Sequence, residues 1–319
     1  MLGSRGSDLA LAQARLAECA LRNKRDIEIE IEIIRTSGDQ AVIPSNVEGS
    51  RGESFRVTSS GSLGPSRTSD FARDDRKAGR KGIFTAELER ALLEKRIDVA
   101  VHSAKDIPSG MDTALIIAAV LPRGGVEDLL LRKGAASTPL TTIATGSVRR
   151  QRQTCAMSPG ARIIPLRGNV PTRLRKFVEN DWDAIILARA GLERLGFIPP
   201  QFEFEGHEIF AEVLPIENFL PAGGQGIIAL QTREGDFPVR QIVSSIDDCE
   251  THLCLRAERE LLRLLQGDCD LPVGVHARVV NGELELRTQV FGDGTVAKVA
   301  MGRGSDPEKL ATDVFEKLG

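Results

Sequence analysis

A short apolar run, Asp98-Val99-Ala100-Val101, breaks into His102-Ser103-Ala104-Lys105-Asp106-Ile107-Pro108. A hydroxyl, an ammonium and a carboxylate thus stand where a buried strand reaches the edge of its sheet, which is where open α/β sheets hold their ligands. Asp106 there suits proton transfer or the stabilisation of a developing cation; it equally suits the capping of a turn before Pro108. A second constellation is Thr145-Gly146-Ser147-Val148-Arg149-Arg150-Gln151-Arg152, a small polar turn opening a helix with three arginines in its first turns. Cations at that end oppose the helix dipole, and neither Gln153 nor Thr154 offers an i,i+4 acid to Arg149 or Arg150. Free N–H groups beside guanidinium forks bind carboxylates or phosphates.

The pattern recurs at Leu166-Arg167-Gly168-Asn169-Val170-Pro171-Thr172-Arg173, and Arg5 follows Gly3-Ser4. These arginines read as converging from loop ends onto a polyanion, with separate surface charges as the alternative for each. Cys269 lies in a Gly/Asp/Pro loop, Gln266-Gly267-Asp268-Cys269-Asp270-Leu271-Pro272, whereas Cys19 and Cys254 fall in helical stretches. A loop thiol is reachable by a reactant, although most free cysteines are simply small buried hydrophobes.

Elements of suitable spacing position these groups. Leu9-Ala10-Leu11-Ala12 through Ala20 reads as a helix, and Ile27-Glu28-Ile29-Glu30-Ile31-Glu32-Ile33 alternates as a strand. Phe84, Leu88, Ala91 and Leu92 recur at helical spacing before the strand at Ile97–Val101. Between them, residues 41–76 are rich in Ser, Gly, Arg and Asp and read as a disordered insertion. A second α/β unit covers 127–218, with strands at Ala161–Leu166 and Ala184–Ala188, and shows no internal repeat. From Cys249 a helix precedes alternating segments at Ala277–Val280, Leu284–Val290 and Ala297–Met301 and a last helix from Pro307, a small α+β unit.

Composition narrows the partners. Among 319 residues, Lys+Arg 42 nearly balance Asp+Glu 45, giving a net charge of -3, so nucleic acid and anionic membranes find no global electrostatic footprint. No apolar run reaches the length of a membrane span and the start lacks the pattern of a signal peptide; the expected location is the cytoplasm. Five cysteines without a CxxC pair and only four histidines argue against a disulfide framework or a metal site.

In order along the chain, several blocks resemble the porphobilinogen deaminases, also called hydroxymethylbilane synthases. They are Gly3-Ser4-Arg5-Gly6-Ser7-Asp8-Leu9, Lys81-Gly82-Ile83-Phe84-Thr85-Ala86-Glu87-Leu88-Glu89, Asp98 to Pro108, Arg149-Arg150-Gln151, Leu166-Arg167-Gly168-Asn169-Val170, Leu220-Pro221-Ala222-Gly223-Gly224-Gln225-Gly226 and the Cys269 loop. The resemblance implies a transferase that condenses four porphobilinogen molecules head to tail, releases ammonia at each step, and hydrolyses off hydroxymethylbilane for haem and other tetrapyrroles. It implies a dipyrromethane cofactor bound through a thioether to Cys269, and a catalytic Asp106 that stabilises the azafulvenium-like cation left when ammonia departs. Cofactor binding falls to Ser103, Lys105, Thr145, Ser147, Arg149 and Arg150; substrate binding falls to Arg5, Ser7, Phe84, Arg167, Arg173, Arg194 and Gln225.

The implied fold is α/β in three domains. The first two, 1–122 with 224–244 and 127–218, resemble periplasmic binding proteins around a cleft, and 249–319 carries the cofactor cysteine; the expected state is a monomer. Four departures from the family pattern stand out: only Met1-Leu2 precede Gly3, Gly146 replaces a common Ser, Arg80 replaces a Gly, and Gly223 replaces a common Val. The competing class is a non-catalytic two-domain sensor for a small carboxylate, which leaves Asp106 and the Cys269 loop without a purpose.

Overall fold

A computed structural model of the chain describes residues 1–36, 85–134, 140–266, 271–292 and 296–319. The expected insertion 41–76, Arg80, Phe84 and Cys269 lie outside the described residues. The chain opens with β1 Leu2–Ser4, α1 Asp8–Lys24, β2 Ile31–Ile33, α2 Ala86–Leu93, β3 Val99–Ser103 and β4 Leu115–Val120. It continues through β5 Asp128–Lys133, β6 Thr142–Ala144, α3 Val148–Met157, β7 Arg162–Ile164, α4 Val170–Glu179, β8 Ala184–Ala188, α5 Arg189–Glu193, β9 Gln201–Phe204 and β10 His207–Leu214. The last elements are β11 Ile228–Arg233, α6 Phe237–Val243, α7 Cys249–Leu264, β12 Val273–Val280, β13 Glu283–Phe291, β14 Ala297–Gly304 and α8 Pro307–Glu316.

One mixed sheet has the order β2-β1-β3-β11-β4 and the other β7-β6-β8-β5-β10-β9. In the first, β1 is parallel to β2 and β3, and β11 runs antiparallel to β3 and β4. In the second, β6 is parallel to β7 and β8, and β5 runs antiparallel to β8 and β10. Both sheets therefore share one plan, three parallel strands followed by an opposed strand, although the sequence carries no visible repeat. The third sheet, β12-β13-β14, is antiparallel. It packs Val275, Ala277 and Leu286 against Ala257 and Leu261 of α7 and Leu310, Ala311 and Val314 of α8. The chain is thus α/β with two mixed sheets and a small α+β unit.

β3 shows why its sequence reads as a continuous apolar run. Val99 and Val101 pack with Leu2 and with Ala14, Ala17 and Leu21 of α1, while Ala100 faces Leu88, Ala91 and Leu92 of α2. A strand covered on both faces is apolar on both. α1 begins where the Ser7 hydroxyl accepts from the Ala10 amide at 3.4 Å, the usual cap of an Ala/Leu helix. The strand expected over 27–33 is narrower. Ile27, Ile29 and Ile31 all lean on the α1 core, but ladder bonds need a partner, and β1 supplies one only from Leu2, opposite Ile31, to Ser4, opposite Ile33. Likewise the strand expected over 161–166 is limited to Arg162–Ile164 by its partner Thr142–Ala144 and by Pro165, which has no N–H to give.

Candidate active site

β3 delivers Ser103 to the sheet edge, and a single 3-10 turn, Ala104–Asp106, turns the chain outward. Ser103 exchanges hydrogen bonds with the buried amide of Gln13 on α1, Nε2 donating to Oγ at 2.7 Å and Oγ donating to Oε1 at 3.1 Å. The returning loop lies directly on this turn: a Cβ on Gly224 would sit 2.8 Å from the Lys105 backbone nitrogen, and its φ is +75°. Glycine is required there by both contact and conformation. Lys105 is desolvated, which pushes its ammonium down to about 8; Asp106 and Asp128 oppose the shift while Arg150 and Arg173 reinforce it. His102, one turn of strand behind, is buried and held neutral, its pKa pushed down to about 4 by desolvation. Its ring meets Gln231 Oε1 at 2.9 Å, and Gln231 Nε2 donates to Glu89 at 3.0 Å, so the imidazole proton sits on Nε2.

Facing this turn is the start of α3. Ser147 caps the helix by accepting from the Arg150 amide at 3.4 Å, and Thr145 Oγ1 accepts from the Ser147 amide at 3.3 Å. A Cβ on Gly146 would lie 2.3 Å from the Leu166 carbonyl oxygen, so the missing serine hydroxyl goes with a closer approach of the two loops. Arg149 and Arg150 are both 5% exposed. Sequence spacing offers them no acid, and the structure supplies one from β5: Asp128 Oδ2 accepts from Arg149 Nη2 at 2.7 Å, and Oδ1 from Arg150 Nη2 at 2.7 Å and Nε at 3.2 Å. The paired guanidiniums hold the Asp128 carboxyl far below the usual carboxylate range against the opposing effect of burial. Both forks are spent partly on the protein itself, through an acid from β5 that no local i,i+4 spacing offers.

Arg173, in the first turn of α4, donates from Nε to the Gly168 carbonyl at 2.7 Å. Burial, with Arg150 next, lowers it to about 10, and Asp106 opposes. Lys105, Asp106, Arg150 and Arg173, drawn from both mixed sheets, therefore share one electrostatic neighbourhood. Lys105 and Arg173 are half-buried and Arg150 is buried, and three cations so close, only partly offset by Asp106 and Asp128, favour the arrival of a further anion. Arg194 donates to the Gly226 carbonyl, and Gln225 is buried with Nε2 on the Val126 carbonyl at 2.7 Å and Asp128 Oδ1 at 3.0 Å. Both thus stand at the crossing segments rather than among the four groups. Ser7 is occupied as the α1 cap, Arg167 is exposed on the loop before α4, and Arg5 lies close enough to His102 to lower its basicity.

α7 ties the third unit to this turn. Glu258, fully buried, accepts from Arg123 Nη1 at 2.7 Å and Nη2 at 3.2 Å, from the Gly224 amide at 2.6 Å and from the Ala277 amide at 2.7 Å. Arg259 donates to the Pro108 and Ser109 carbonyls at 2.9 and 3.3 Å, just beyond Asp106. The helix ends at Leu264, so its middle, at Glu258 and Arg259, is the part that meets the Ala104–Asp106 turn and the loop at Gly224. Gln13, Asp128, Gln231 and Glu258 escape sequence reasoning. Gln13 left a trace as the one amide in an Ala/Leu face, and Asp128 as an acid heading the apolar run Leu129–Leu131.

Fold and site define an α/β protein that sets one carboxylate, Asp106, among the cations Lys105, Arg150 and Arg173 contributed from its two mixed sheets. A family model described as porphobilinogen deaminase, dipyromethane cofactor binding domain, matches residues 1–51 and 66–241, and its C-terminal domain counterpart matches 252–319. The porphobilinogen deaminase of Chlorobium luteolum is 36% identical over 330 residues, covering 100% of this chain and 93% of that protein. That of Syntrophobacter fumaroxidans is 35% identical over 326 residues, covering 99% and 93%. Among solved structures, the second substrate binding domain of a putative amino acid ABC transporter from Streptococcus pneumoniae matches at TM-score 0.40 and 11% identity, over 76% of this chain and 89% of that one. The chain belongs to the porphobilinogen deaminase family, transferases of tetrapyrrole biosynthesis whose N-terminal part binds a dipyrromethane cofactor.

Proposed function

We propose that this chain condenses four porphobilinogen molecules head to tail in the cleft between its two mixed sheets, with Asp106 as the catalytic carboxylate and Cys269 as the cofactor's attachment point. The observation that carries the reading is the juxtaposition of Asp106 with the desolvated cations Lys105, Arg150 and Arg173. A dipyrromethane and each incoming pyrrole carry acetate and propionate groups and a ring N–H, so clustered cations fit the carboxylates and a carboxylate fits the N–H. When bound, the cofactor supplies a nucleophilic pyrrole carbon as the primer for chain growth.

The chain's own residues do the rest. Asp106 accepts a ring N–H, stabilises positive charge as ammonia leaves the incoming pyrrole, and relays the proton released when the new carbon–carbon bond forms. Lys105, Arg149, Arg150 and Arg173 neutralise carboxylates, with Ser103, Thr145 and Ser147 adding hydroxyl contacts at the strand and helix ends. Arg5, Ser7, Phe84, Arg167, Arg194 and Gln225 serve the incoming substrate and the growing chain. The division into 1–122 with 224–244, 127–218 and 249–319 is supported by the way each range supplies the strands of one sheet. The reading takes the enzyme as a cytoplasmic monomer, and no helix among the described residues is long and apolar enough to cross a membrane.

Intact mass spectrometry with peptide mapping tests the reading. The purified chain carries a covalent adduct equal to two porphobilinogen units less their ammonia, located on Cys269, and Cys269→Ser lacks the thioether adduct while remaining folded. A fully active Cys269→Ser enzyme with a normal adduct elsewhere refutes the assignment.

A further inference from the structure

Asp128 stands outside every role assigned above, yet it is fully buried and touches three parts of the machinery. Its Oδ2 takes Arg149 Nη2 at 2.7 Å, and its Oδ1 takes Arg150 Nη2 at 2.7 Å and Gln225 Nε2 at 3.0 Å. Arg149 is fixed further by Gln153 Oε1 at 2.9 Å and Arg150 by the Ile186 carbonyl at 3.0 Å. Gln225 is fixed by the Val126 carbonyl at 2.7 Å, and its backbone carbonyl accepts from Arg123 Nε at 2.9 Å. The carboxylate therefore joins the helix that carries the arginines to the segment that crosses back between the sheets.

We propose that Asp128 is a positioning residue for the condensation: it clamps Arg149, Arg150 and Gln225 into one rigid array that presents a single net positive charge, instead of two mobile guanidiniums, to Lys105 and Asp106. The inference rests on the reading of the cleft given above. Two consequences follow from the geometry. A guanidinium pinned along one edge cannot swing to follow a lengthening product, and Arg150, with Nε, one Nη1 proton and one Nη2 proton engaged, retains one N–H on each terminal nitrogen for a ligand. The array also balances the charge at Lys105. Asp106 on its own turn and Asp128 on β5 favour the ammonium, while Arg150 on α3 and Arg173 on α4 oppose it. Loss of Asp128 leaves one acid against two arginines, so Lys105 deprotonates at lower pH.

The test is the pH dependence of KM for porphobilinogen in the cofactor-loaded full chain, for wild type, Asp128→Asn and the conservative Asp128→Glu. In Asp128→Asn the pH at which KM begins to rise moves down by about one unit, the scale of one lost charge nearby, and Asp128→Glu recovers part of that shift. A folded Asp128→Asn with wild-type KM and pH profile overturns the proposal, while wild-type turnover and adduct in the same experiment leave the functional reading intact. Should Asp128→Asn not fold, Asp128→Asn/Arg149→Gln keeps the net charge but frees Arg150; a KM about tenfold above that of Arg149→Gln alone supports the clamp and a KM equal to it refutes it. Should neither fold, guanidinium NMR of the wild-type holoenzyme decides. Separate, slowly exchanging Nη signals for Arg149 and Arg150 are expected, and rotationally averaged signals refute the clamp.

Discussion

Glu258→Gln removes charge without changing shape, at a residue that has no solvent contact. Its carboxylate accepts from both terminal nitrogens of Arg123 and from the amides of Gly224 and Ala277. An amide in its place keeps one acceptor oxygen and turns an NH2 toward groups that are themselves donors, and the Arg123 guanidinium, whose side chain is only 11% exposed, is left without its counter-charge. Breaking a buried pair from one side costs about 3–5 kcal/mol, which lowers the folding constant roughly a hundredfold or more. The exposed pair Arg256–Glu308, with side chains 50% and 45% exposed, provides the internal comparison: Arg256→Ala there costs about 0–1 kcal/mol. Urea unfolding followed by circular dichroism on both variants measures the difference. Equal, small losses would refute the view that this ion pair rivets the third unit to the crossing segments.

Two further outcomes concern the Ala104–Asp106 turn. Because Lys105 is pushed down to about 8, its positive charge is present below that pH and lost above it, so KM for porphobilinogen rises above about pH 8; Lys105→Arg, which stays charged, moves that rise to higher pH in a steady-state pH series. Gly224→Ala places a methyl 2.8 Å from the Lys105 nitrogen at a φ of +75°, costing about 1–3 kcal/mol of stability and displacing Lys105 and Asp106, so urea unfolding and kcat both register it.

Local patterns were the legible part of this molecule. α1, β3 and β8 follow from Ala/Leu spacing and unbroken apolar runs, because each is buried by neighbours that impose one period on the chain. The extent of β2 was not legible, since Ile27 and Ile29 keep the alternation but have no β1 residue opposite them. The kinship of the two mixed sheets was legible only through the family resemblance, for strand order leaves no mark in composition. Asp106 and the arginines stood out by residue type at element ends. Their wiring did not: Asp128 precedes Arg149 by 21 residues and meets it only after β5 has crossed the sheet. Gln231 and Glu258 lie farther still from His102 and Arg123. Cys269 was distinguished from the other cysteines by family resemblance, not by anything its own loop could prove.

In the proposed reaction Asp106, set among Lys105, Arg150 and Arg173, carries the condensation on a chain primed at Cys269. Rapid-quench intact mass spectrometry of the loaded enzyme mixed with porphobilinogen tests it most directly, by following successive additions of one pyrrole unit. Asp106→Asn is expected to fold normally yet add the first unit about 10²-fold more slowly or worse. Additions at the wild-type rate in Asp106→Asn would contradict it.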